Sequence, residues 1–151
     1  MILSINFCYY IFTKYIMKLK IGHIDIISGN TYDYSDINYS IIPKIDYNFD
    51  KNKLYTIMMI DKDAPNATDP KYKYWLHWLI INNNQTIIKY EQPTPPIGSG
   101  LHRYYICIYL QTDKLTNIQI SKRSNFDVRI FRHQNNLKCV DFIMFKTEKT
   151  I

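Results

Sequence analysis

Two apolar runs bracketing one polar loop constrain this chain most. Residues 54–60 (LYTIMMI) are apolar at nearly every position. A strand with one face in water would alternate, so this run reads as a central strand buried on both faces. Residues 75–81 (WLHWLII) form its expected neighbour. The loop between them opens on Asp61-Lys62-Asp63-Ala64-Pro65, and the second run carries His77 between Leu76 and Trp78. Two acids, a proline corner and a histidine inside an apolar strand are thereby drawn toward one place.

The remaining pattern is also β-like. Residues 18–26 alternate with period two, and Ser28-Gly29-Asn30 marks a turn. Residues 38–42, 43–47 and 86–90 read as short runs. Residues 103–110 (RYYICIYL) are rich in β-forming aromatic and β-branched side chains. Residues 114–120 fit no period. Residues 125–135 suggest a helix capped by Ser124 or Asn125, with Phe126, Ile130 and Phe131 on one face. A last apolar run spans 140–145. The fold class expected is mainly β, an antiparallel sandwich of two packed sheets with one or two short peripheral helices. A chain of 151 residues suits a single domain over 18–151, with 1–17 as an apolar extension.

Composition narrows the function classes. A net charge of +6 is dispersed rather than clustered, with no basic stripe of the kind nucleic acid demands. At most, it allows peripheral contact with an anionic membrane. The three cysteines lie far apart without a CxxC pair, which argues against a zinc knuckle and fits a reducing, cytoplasmic compartment. Over-use of Ile, Asn, Lys and Tyr reads as an AT-rich coding genome, such as that of a large DNA virus or a parasite.

The chemistry-bearing residues fall in two stretches. Asp61 and Asp63 are spaced to point the same way at a strand end. They would cap the turn before Pro65, orient nearby imidazoles or bind a cation. His77 alone reads as a core histidine satisfied by a carbonyl or carboxylate. His102 repeats the situation at the mouth of another strand, after Gln92-Pro93-Thr94-Pro95-Pro96-Ile97-Gly98-Ser99-Gly100. Prolines stiffen that rim. Gly98 and Gly100 permit a close backbone approach or a nest of N–H groups. No cofactor is implied, and a mixed Asp/His metal site for hydrolysis ranks low because no activated nucleophile stands out.

These stretches resemble the two signatures of the phosphatidylethanolamine-binding protein family. The first is D-x-D-A-P, D-P and W-L-H-W-L-I-x-N; the second is Y-x-x-P-x-P-P-x-G-S-G-L-H-R-Y. The resemblance implies a β-sandwich-like fold with a small anion pocket for phosphate, acetate or a phosphoethanolamine head group. Position by position, its lining would include Asp61, Asp63, Pro65, His77, Pro95, His102 and Tyr104, with Trp75 nearby. Lys62 stands where the family has proline between the two acids, which implies a looser corner. No tyrosine-bearing terminal helix follows Phe131, which implies a more open pocket.

The function expected is a non-enzymatic binding protein. Its ligand would be a small anion or phospholipid head group, and its role modulation of signalling or proteolysis. His77 and His102 would donate to the anion, with the backbone near Gly98 and Gly100 assisting. Inhibition of a kinase or protease through the surface is the alternative.

Overall fold

The computed structural model describes residues 16–151. The expected extension lies almost wholly outside them. Met17 is buried, and its amide donates to Asp141 Oδ2 at 2.7 Å.

Among the described residues, nine strands form two sheets. β1 (Lys18–Ile21), β2 (Ile24–Ile26) and β4 (Lys44–Asp46) make a small sheet ordered β2-β1-β4. β3 (Thr31–Asp33), β5 (Leu54–Asp61), β6 (Trp75–Ile81), β7 (Gln85–Ile88), β8 (His102–Gln111) and β9 (Lys138–Glu148) make the large one, ordered β3-β9-β8-β5-β6-β7. The fold is the mainly β sandwich expected. One pairing departs from the antiparallel rule, since β3 runs parallel to β9.

β5 and β8 lie in the middle of the large sheet, and their residues alternate between two cores. Met58, Ile60, Cys107 and Tyr109 face a cluster that includes Val128 and Phe131 of the helix. Tyr55, Met59, Tyr104, Ile106 and Ile108 face a cluster with Leu19, Ile21 and Ile26 of the small sheet. This double burial is why the sequence shows no polar alternation there. Each fully buried Ile, Leu or Met contributes about 1.5–3 kcal/mol.

The helix α1 spans Val128–Gln134. Its cap is Asp127, which accepts from the amides of Arg129 and Ile130, rather than Ser124 or Asn125. Val128 and Phe131 bury its inner face, and Ile130 is 55% exposed. The run 38–42 holds only turns, and residues 114–120 form no regular element.

One irregularity positions the site. On the β5–β6 ladder Met59 pairs with Trp78, but Ile60 pairs with Leu76. His77 is therefore the extra residue of a β-bulge. Such a bulge re-aims a side chain that strict alternation would send to the other face. His77 consequently shares a face with Tyr104, their ring centroids 5.4 Å apart.

Candidate functional site

A cavity of about 220 Å³ opens where β5, β6 and β8 meet the loops. The strands contribute Asp61, Trp75, His77, His102 and Tyr104. The loop after β5 contributes Ala64, Pro65 and Tyr72, and the proline loop contributes Glu91, Thr94, Pro95 and Pro96.

On the β6 wall, His77 Nδ1 lies 2.8 Å from the Glu91 carbonyl oxygen. A carbonyl only accepts, so Nδ1 carries the proton and donates. Burial pushes the imidazole pKa down, against weaker upward pulls from that bond and from Asp61. The ring is thus neutral, and its Nε2 presents a lone pair. Arg123 holds this wall together. Its guanidinium donates to the carbonyls of Leu76 and His77 at 3.0 Å and of Lys89 at 2.9 Å, and pairs with Glu91 at 2.8 Å.

On the β8 wall, Asp61 Oδ2 accepts from His102 Nδ1 at 2.7 Å, both residues being buried. Asp61 Oδ1 accepts the amide of Asp63 at 2.7 Å. His102 Nε2 lies 2.9 Å from Ser99 Oγ. Between the two histidines sits Tyr104, fully buried, its hydroxyl near the Asp61 carboxylate but without a well-formed hydrogen bond. Burial, and then the nearby Asp61 charge, hold that hydroxyl well above the usual tyrosine range. It remains a proton donor at any physiological pH.

The two acids do not act alike. Asp61 turns into the cavity, whereas Asp63 binds Arg103 outside it: Nε–Oδ2 2.8 Å, Nη2–Oδ1 2.7 Å and the Arg103 amide 2.8 Å. Burial would raise the Asp63 carboxyl, but those bonds outweigh it and hold the pKa low. A pair of acids pointing one way was expected; the chain leaves β5 at Asp61, so the strand period no longer relates them. Lys62 does not loosen the corner, because its amide donates to the Arg103 carbonyl at 3.0 Å. A proline there has no N–H to offer.

Of the residues expected at the site, Asp61, Pro65, Trp75, His77, Pro95, His102 and Tyr104 line the cavity. Asp63, Gly98 and Gly100 do not. Both glycines have positive φ, 76° and 78°, and serve the turn. Arg123, Glu91, Tyr72 and Ser99 were missed. Arg123 lies far from either stretch in sequence, and its partners are backbone carbonyls, which leave no mark in a residue pattern. Among the described residues, no three His, Cys, Asp or Glu side chains form a metal-ligand group. Nor, among them, is any helix long and apolar enough to cross a membrane.

A mixed sheet flanked by a small second sheet, with a histidine-lined pocket at the strand ends, defines a fold class rather than one activity. Residues 26–142 match the model of the phosphatidylethanolamine-binding protein family, and the chain belongs to that family. The putative odorant-binding protein A5 of Drosophila melanogaster is 40% identical over 131 residues, covering 77% of this chain. The chain spans 61% of the length of that relative. Among solved structures, a carboxypeptidase Y inhibitor complexed with its cognate proteinase is 25% identical with a TM-score of 0.75. The match covers 89% of this chain and 83% of that one. A phosphatidylethanolamine-binding protein from Plasmodium vivax shares the fold at 19% identity and a TM-score of 0.73, covering 89% and 85%.

Proposed function

We propose that this chain is a non-enzymatic binding protein whose pocket takes a small phosphate or phosphoethanolamine-type group. One observation carries the reading: the Tyr104 hydroxyl is fully buried at the cavity wall and makes no well-formed hydrogen bond, the Asp61 carboxylate being its one protein neighbour able to accept among the described residues. A buried donor of that kind costs about 1–3 kcal/mol unless a ligand or water satisfies it. Beside it, neutral His77 accepts at Nε2. The ligand must therefore bring both an acceptor oxygen for Tyr104 and a proton for His77. A hydrogen phosphate, a phosphomonoester or a phosphoethanolamine meets both demands. His77, expected to donate to an anion, accepts in this reading. The Asp61 carboxylate adds an attraction for an ammonium.

Calorimetric titration of phosphate and phosphoethanolamine against His77→Ala and Tyr104→Phe tests this. Affinity is expected to fall roughly fivefold or more in each, the worth of one good hydrogen bond. Unchanged binding in both rejects the assignment.

The inhibitor complex among the solved structures favours a second reading, in which the surface docks a protease and the pocket is not needed. Retained protease inhibition by Tyr104→Phe, alongside lost phosphate binding, would select it.

A further inference from the structure

We propose that Ser99 is a ligand-displaceable latch: its hydroxyl occupies the place on His102 Nε2 that a ligand oxyanion takes. The inference rests on the pocket reading above and concerns a residue outside the cavity lining.

The argument is a count of protons. Ser99 Oγ lies 2.6 Å from the Pro96 carbonyl and 2.9 Å from His102 Nε2. A hydroxyl has one proton. The carbonyl can only accept, so the shorter contact takes the Ser99 proton. At the longer contact Ser99 must then accept, and His102 Nε2 must donate. On the other side of the ring an ionised Asp61 can only accept, so Nδ1 donates as well. His102 therefore holds both ring protons. It forms a buried cation paired with Asp61, while His77 across the cavity is neutral.

The Ser99–His102–Asp61 chain has the distances of a nucleophile, base and orienting acid. The proton count removes that role. His102 keeps no lone pair with which to take the serine proton, and the hydroxyl is committed to Pro96. What remains is a fastening. The Ser99 amide also donates to the Pro96 carbonyl, at 3.0 Å, so residues 96–99 close on themselves. Gly98 and Gly100, in left-handed conformations, flank the serine. Its side chain is what ties this turn to the start of β8.

That tie is a neutral acceptor on a cationic donor. A phosphoryl or carboxylate oxygen in the same position adds the attraction of opposite charges to the hydrogen bond. Ser99 is only half-buried, so an anion can replace it and free the turn. A neutral alcohol gains nothing over the hydroxyl already present.

Ser99→Ala removes a bond that the ligand must otherwise break. Inorganic phosphate is expected to bind roughly two- to tenfold more tightly to this variant. Ser99→Thr, which keeps the hydroxyl, should stay near wild type. Proton-detected nitrogen NMR of the free protein should show both His102 ring nitrogens protonated. Unchanged or weaker phosphate binding by Ser99→Ala overturns the latch where the wild type binds phosphate. If the wild type fails to bind phosphate, the pocket reading falls, and the latch as proposed falls with it. A singly protonated His102 overturns it in either case. So does covalent labelling of Ser99 by a fluorophosphonate, which would make it a nucleophile.

Discussion

The cavity has two histidine walls that use the same residue type in opposite ways. On β6, His77 meets a backbone carbonyl and stays neutral. On β8, His102 meets a carboxylate and a hydroxyl whose proton is already committed. Burial is nearly equal, 3% against 1% exposed, so it does not make the difference. The partner does. A carbonyl fixes one ring proton and leaves the second nitrogen to the ligand. A carboxylate on one nitrogen and an acceptor on the other demand both protons. One pocket thereby presents a lone pair and a cation a few ångströms from the same tyrosine.

The sharpest way to break this contrast is to remove the acid from the β8 wall. Asp61→Ala leaves the His102 ring without its counter-charge and the Asp63 amide without an acceptor. Stripping one partner from a buried pair costs about 3–5 kcal/mol. Urea denaturation should show a loss of that order. A loss below about 1 kcal/mol would mean that Asp61 and His102 do not form a buried charge pair.

The β6 wall has its own keystone in Arg123, and its removal should be milder. Arg123→Ala takes a donor from three carbonyls and the Glu91 carboxylate, but the His77 carbonyl keeps the Glu91 amide, the guanidinium is partly exposed and water can reach some of the rest. A cost of about 2 kcal/mol is expected by the same denaturation. His77 should lose orientation, so phosphate affinity should fall with it. The Asp63–Arg103 pair, on the other side of the molecule's pocket corner, should keep its effect on stability unchanged. Equal damage to both would show that the walls are not independent.

Much of this was legible in the residues. The continuous apolar run of β5 gave away a strand buried on both faces, and the two signatures located both histidines. The bulge at His77 was not legible. Its sequence, Leu-His-Trp, is compatible with plain alternation, and only the pairing of Ile60 with Leu76 reveals the slip. The divergence of Asp61 and Asp63 was hidden for a related reason, since a period-two argument lapses where the strand ends. Lys62 misled through its side chain, when what holds the corner is its backbone N–H. The helix cap was placed two or three residues early because Ser, Asn and Asp all stand in that segment and all can cap. At the bulge and at the Lys62 corner the deciding group was a main-chain atom, about which residue identity says least.

The smallest effect, and the most selective, is the shape of acid destabilisation. Below about pH 6.5 an unfolded His77 takes up a proton that the buried ring resists. The unfolded state then binds more protons, so stability drops as pH falls from that value toward the depressed folded one. Asp63 also has a depressed folded pKa, but it acts lower. Its contribution is intact above the unfolded value of 3.8 and is lost as pH falls through the folded one. The difference in stability between wild type and His77→Gln should therefore change with pH only below about 6.5, and that with Asp63→Asn only below about 4. A His77→Gln difference that stayed flat from pH 7 down to 4 would mean that folding leaves the His77 pKa unshifted, so that the buried ring does not resist protonation, and the contrast between the two walls would collapse.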